Sequence, residues 1–135
     1  MPPLEAAGPL LQFTSTHLDQ GREEGNRLTQ AARLNALPVA DGMPEILAGD
    51  MNSRFDSEVM KTLETQWTNA TTADPSMPLA ADGRPRFRGD YVLMRPMHCW
   101  RVIEATVLDD RIASDHRPVL VVLEWIATCS TVVQH

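Results

Sequence analysis

The sequence has no excess of positive charge: 12 basic residues face 18 acidic ones, for a net charge of -6. A sequence-independent nucleic-acid surface needs surplus Lys and Arg, so a broad surface of that kind is excluded, although a local basic rim is not. Cysteine is scarce, with only Cys99 and Cys129. Two thiols so placed have no metal-ligand spacing and make neither a zinc site nor a disulfide framework. A reducing compartment such as the cytoplasm is the easier fit. No apolar run approaches the length of a membrane span. The opening MPPLEAAGPL has neither the basic nor the apolar region of a signal peptide.

What remains is an ordinary globular composition, 43% hydrophobic and 22% charged over 135 residues. That length suits one domain with a real core. Residues 1–9, rich in Pro and Gly, read as a loose arm, 10–126 as the domain, and 127–135 as a tail. LLQFTSTHL, from Leu10 to Leu18, has the residue types of a strand. A helical pattern runs from about Gly21 to Leu37, with Glu23 and Arg27 as an i,i+4 pair and Leu28, Ala31 and Ala32 on one face. A short apolar strand follows from Glu45 to Gly49. Asp56 or Ser57 then caps a helix to about Glu64, with Val59, Met60 and Leu63 inward. Residues 65–89 form a long irregular stretch, of a length usually functional or mobile. Further strands are expected at Tyr91 to Met94, Cys99 to Leu108 and Pro118 to Trp125. About five strands and two main helices predict an α/β (α+β) layered sandwich. Trp67, Trp100 and Trp125 are expected in the core, His98 and His135 at the surface, and Asp109 and Asp110 in a turn.

Four polar clusters stand at strand ends: Thr16-His17-Leu18-Asp19, Gly49-Asp50-Met51-Asn52, Gly89-Asp90-Tyr91 and Ser114-Asp115-His116-Arg117. In a strand, residues i and i+2 share a face, so Asp50 and Asn52 can address one ligand. A turn would use the same residues, and alone this stretch favours the turn. Four such clusters together point to a site built on a rigid sheet. Arg84, Arg86 and Arg88 fit either a phosphate-contacting rim or an Arg-rich solvated loop.

The ordered motifs THLD, GDMN, DYVL and SDHRPV resemble the endonuclease/exonuclease/phosphatase superfamily, the deoxyribonuclease-type fold, from about Leu10 to Trp125. The resemblance implies hydrolysis of phosphodiesters or phosphomonoesters with Mg2+ (or Mn2+/Ca2+). By that resemblance Asp50 orients or deprotonates the attacking water, and Asn52 holds a phosphoryl oxygen. His116 contacts the scissile phosphate as an imidazolium, with Asp90 as its partner. His17 meets the phosphate or leaving group, and Asp115, with Asp50, serves the metal. These types also suit the chemistry by themselves: in-line attack on phosphorus needs a positioned nucleophile and neutralised non-bridging oxygens.

The superfamily's four-layer domain is longer, made of two α/β halves, and its early Asn and metal-ligating Glu have no counterpart here. The chain therefore reads as the C-terminal half only. The metal shell would need water or another chain to complete it. Pro118 to Trp125 would keep an apolar face and an unpaired edge. A homodimer, a complementary chain, or pairing within the remaining sheet would cover it. The alternative to a phosphoesterase is a catalytically inactive half-domain that serves as an interaction or dimerisation module. The substrate, whether a small phosphate ester, a lipid head group or a short nucleotide, is not legible.

Overall fold

The computed structural model describes residues 10–38, 42–71, 89–110 and 112–126. The Arg84 to Arg88 cluster, His135, and most of the 65–89 stretch lie outside them. The described elements, in chain order, are β1 (Gln12–His17), α1 (Gly25–Asn35), β2 (Glu45–Asp50), α2 (Glu58–Glu64), β3 (Thr68–Asn69), β4 (Asp90–Arg95), β5 (Trp100–Val107) and β6 (Val119–Trp125). Strands β1-β2-β4-β3 form one mixed sheet, and β5 and β6 form a separate antiparallel ribbon. The layered α+β architecture expected from the sequence is what forms, with the short β3 as an additional strand.

Strand β2 organises the larger sheet. It pairs in parallel with β1 and antiparallel with β4. Its alternate residues therefore serve opposite faces. On one face Leu47, with Leu93 and Tyr91 from β4, packs against Ala31 of α1 and Val59, Met60 and Leu63 of α2. Trp67 closes this core. On the other face Ile46 and Met94 meet Trp100, Val121, Leu123 and Trp125 of the ribbon. Trp100 and Trp125 contact edge to face, with ring centroids 5.3 Å apart.

Helix α2 begins where Ser57 accepts a hydrogen bond from the Met60 amide, a standard N-cap. Helix α1 is shorter than its sequence pattern. Glu23 precedes it, and Arg27 reaches the carbonyls of Asp19 and Gly21 instead of Glu23. Leu34 packs on the core in place of the exposed Ala32. Residue spacing located the apolar stripe, but the loop before the helix, not an i,i+4 partner, captured the arginine.

One expectation holds in part and another changes. β5 pairs one edge of β6 along its length, and Val121, Leu123 and Trp125 are packed inward, while the other edge has no strand partner among the described residues and Leu120 and Val122 face outward. Cys99, fully buried in the second core, is in a disulfide, its partner lying outside the described residues. Sequence separation hid this. The Ile126 amide donates to the Cys99 carbonyl at 2.9 Å, so the end of β6 returns beside Cys99. The thiol-based argument for a reducing compartment therefore falls. No helix among the described residues is long and apolar enough to cross a membrane.

At one end of the β2–β4 ladder Glu45 pairs with Arg95. Glu45 is only 2% exposed, and Arg95 Nη2 donates to its Oε1 at 3.1 Å. The same guanidinium donates to the carbonyls of Asn35 and Leu37 at the end of α1, and lies 4.0 Å from the Trp67 ring centroid. A cation here complements the helix C-terminus and ties α1, α2 and the sheet together. Replacing Glu45 by Ala leaves a mostly buried guanidinium without its carboxylate. We expect a loss of about 3–5 kcal/mol in urea denaturation, whereas breaking the solvent-exposed Lys61–Glu58 pair should leave the unfolding midpoint nearly unchanged.

Candidate active site

The other end of the same ladder carries the polar residues. His17 on β1 is the register partner of Asp50 on β2, and Asp50 is in turn the partner of Asp90 on β4. Three adjacent strands thus place His, Asp and Asp on one rung. Six residues from Glu45 to Asp50 reverse the face between the ends of β2, so this rung points toward the ribbon side and not toward the helices. Gly49 makes the close strand contact possible. A Cβ there would lie 1.8 Å from the Thr16 carbonyl oxygen, and its φ of +150° is one that glycine tolerates.

His116 comes to this rung from the loop before β6. Its Nδ1 stands 2.7 Å from Asp90 Oδ2, and its Nε2 lies 3.9 Å from Asp50 Oδ2. The His116 backbone amide donates to Ser114 Oγ, a local turn that aims the ring. His17 Nε2 is 3.5 Å from the same Asp50 oxygen, but its side chain is 69% exposed against 17% for Asp50. Asp50 is further held by the Asn52 amide, which donates to its Oδ1 at 2.8 Å. Asp50, Asp90 and His116 bring one ligating atom each to within 4.8 Å of one another.

Asn52 has a φ of 46°, in the left-handed region that Asn visits more readily than most residues. Its side chain donates to the Leu18 carbonyl at 2.7 Å and so straps the end of β1. The amide's second N–H has no partner among the described residues, and it is the donor available to a ligand. Asp115, expected at the metal, stands outside the Asp50–Asp90–His116 group. It is exposed, with Ser114 Oγ 3.4 Å from its Oδ1. Asp110 accepts from the amides of Ile112 and Ala113, the turn role read for it.

Two contributors escaped the sequence reading. A Cβ on Gly89 would lie 2.8 Å from Asp50 Oδ1 and 3.8 Å from His116 Cε1, so this glycine keeps the site open. Tyr91 donates from its buried hydroxyl to the Ser53 carbonyl at 2.8 Å, fixing the chain that follows β2. The glycine in GDY was a visible signal, because a glycine next to a functional acid marks close approach.

The electrostatics favour a charged imidazole. Partial burial alone would lower the His116 pKa. The hydrogen bond and charge of Asp90, with the charges of Asp50 and Asp115, outweigh that and raise it above the ordinary value. A ring cation next to a partly buried carboxylate can donate from Nε2 to an anionic oxygen, while Asp50 can accept a proton. In metal-free protein the His116 ring, followed by NMR, is expected to titrate above about 6.5, the ordinary imidazole value. The stability it contributes is complete below that value and is lost as pH rises through the higher folded value. Asp90→Asn should move the titration down and flatten this pH dependence.

The fold that carries these residues is a known one. A mannosyl-6-phosphatase of Bacteroides thetaiotaomicron superposes with a TM-score of 0.70 at 19% identity, covering 88% of this chain and 53% of that one. An endonuclease/exonuclease/phosphatase family protein of the same organism gives 0.69 at 19% identity, over 88% of this chain and 51% of that one. The human Nocturnin catalytic domain, solved with a bound sulfate, gives 0.67 at 21% identity, over 90% and 50%. No family profile and no curated protein matches the sequence, so the likeness is one of fold. The chain spans about half the length of these structures and carries about half of the endonuclease/exonuclease/phosphatase fold.

Proposed function

We propose that the chain supplies the catalytic face of a phosphate-ester hydrolase. The observation that carries this is the single rung of His17, Asp50 and Asp90 with His116 hydrogen-bonded across it. In this reading Asp50 takes a proton from the attacking water. His116, kept cationic by Asp90, donates to a non-bridging oxygen, where charge grows in the transition state. His17, the most exposed of the four, meets the phosphate or the leaving group. Asn52 offers its second N–H to a phosphoryl oxygen.

A divalent ion, Mg2+ or a similar hard cation, fits the carboxylates of Asp50 and Asp90, which provide oxygen donors close together. It would neutralise phosphate charge and lower the pKa of a bound water. Asp115 then acts only as a more distant negative charge near His116. The substrate class supported best is a small phosphate ester, consistent with the acidic balance of the chain and with the mannosyl-6-phosphatase among its fold neighbours.

The exposed Phe13, Val102, Leu120 and Val122 support a second copy of the chain docking over the sheet edge and ribbon. Light scattering should then report a mass above that of one chain. A mass equal to one chain at micromolar concentration would remove this part of the reading.

Activity is tested with bis-p-nitrophenyl phosphate and a p-nitrophenyl monoester in the presence of Mg2+. His116→Ala and Asp50→Ala are each expected to lower kcat/KM by about 10²–10⁴-fold, the range for loss of an acid–base group. Unchanged rates in both variants would sink the site assignment, and rates unaffected by chelator would remove the metal.

A further inference from the structure

Beside the catalytic rung, on the far side of Asn52, lies a cleft of about 520 Å³ between the loop before α1 and the segment that leads into α2. Arg22, Arg27 and Arg54 line it, together with Asn52 and Ser53. Nothing in the catalytic assignment uses these arginines.

Three independent features give the cleft a preference for anions. Among the described residues Arg27 Nη1 meets only neutral acceptors, the carbonyls of Asp19 and Gly21, its buried Nε has no partner, and no carboxylate meets its charge. Ser53 is 4% exposed and its Oγ also lacks a partner. Helix α1, eleven residues long, opens at this cleft with no side-chain cap and no acid in its first turn, leaving its first amide groups unpaired.

Acidic residues are also present. Glu58 is turned to Lys61 Nζ at 2.7 Å, and Asp56 to Arg54 Nε at 3.3 Å, so both already face cations of their own. Glu24 is left to balance Arg22 and Arg27. The wall is charge-balanced, three arginines against three acids, and with Asp56 and Glu58 engaged elsewhere it is Arg22 and Arg27 whose planar donors remain to match phosphate oxygens.

We propose that this cleft is a second phosphate subsite, which binds a phosphoryl group that the substrate carries beside the scissile one. Asn52 belongs to both places: its backbone amide holds Asp50, and the residue also lines the cleft. A ligand with two phosphoryl groups a few atoms apart spans them. Preference for such a substrate rests on the hydrolase reading above, but occupancy of the cleft by an anion does not.

The test is an amide NMR titration of the whole chain with inorganic phosphate and with pyrophosphate. Occupancy predicts saturable shifts at Glu24 to Arg27 and at Ser53 and Arg54. These shifts persist in His116→Ala, and their Kd weakens at least about fivefold in Arg22→Ala and in Arg27→Met. Arg22 is exposed and its replacement leaves the fold intact, so the result stands even where Arg27→Met disturbs its loop. Shifts confined to the neighbourhood of His17 and His116, or cleft shifts unchanged in Arg22→Ala, would overturn the subsite. Kinetically, a sugar bisphosphate should exceed the matching monophosphate in kcat/KM. Arg22→Ala should erase that advantage without changing the monophosphate rate; an advantage that survives it would also overturn the proposal. An inactive chain that still shows the cleft shifts would count against the hydrolase reading alone.

Discussion

The antiparallel register of β2 on β4 sets where the carboxylates of the site stand, because it fixes a buried ion pair at one end and two acids at the other. Glu45 faces Arg95, and five residues later Asp50 faces Asp90. A slip of one residue would carry Leu47 and Leu93 out of the core and turn the carboxylates to the helix side. The Glu45–Arg95 pair penalises such a slip, since neither charge tolerates burial alone. Correct register has its own cost. Asp50 and Asp90 are like charges directly opposite each other, an unfavourable cross-strand pair. His116, the Asn52 amide, and in our reading a divalent cation offset that repulsion.

The two faces of the sheet divide the labour. The helix face holds Leu47, Leu63, Met60, Val59 and Leu93, all without solvent exposure. The ribbon face is less completely covered, and it is there that the rung opens. His116 arrives on the loop before β6, a strand that packs on this face through Val121, Leu123 and Trp125. The position of the imidazole therefore depends on ribbon packing, while the carboxylates depend on the sheet. Catalytic geometry of this kind draws on two separate cores.

Much of the arrangement was legible because it was local. Ser57 before Val59, Met60 and Leu63 writes a cap and an apolar stripe within seven residues, and α2 formed there. ILAGD ends in an acid after an apolar run, and β2 ends at that acid. The pairing of His116 with Asp90 was implied by resemblance and is seen at 2.7 Å. What escaped depends on distance along the chain. Glu45 reads as an ordinary strand-start acid until Arg95, fifty residues away, is placed beside it. Arg27 looked like half of a helical pair, but the loop carbonyls of Asp19 and Gly21 compete better. Cys99 gave no sign of its disulfide, because the return of Ile126 to its carbonyl is a tertiary event. Asp115, next to His116 in sequence, is exposed and stands outside the Asp50–Asp90–His116 group, which adjacency along the chain does not reveal.

The segment that follows β2 is tied down at three successive residues. Met51 donates its amide to Gly89, Asn52 reaches Leu18, and the Ser53 carbonyl receives the Tyr91 hydroxyl. The ties come from two sides, the start of β4 at Gly89 and Tyr91 and the end of β1 at Leu18, so the loop cannot relax around one of them. A ligand bound there, as we propose, would meet a wall that is already ordered. The entropy cost of freezing a binding loop, which weakens many phosphate sites on flexible segments, was met when the protein folded. Selectivity at this wall then follows from fit: a group displaced by an ångström is not followed by the protein, and loses its contacts.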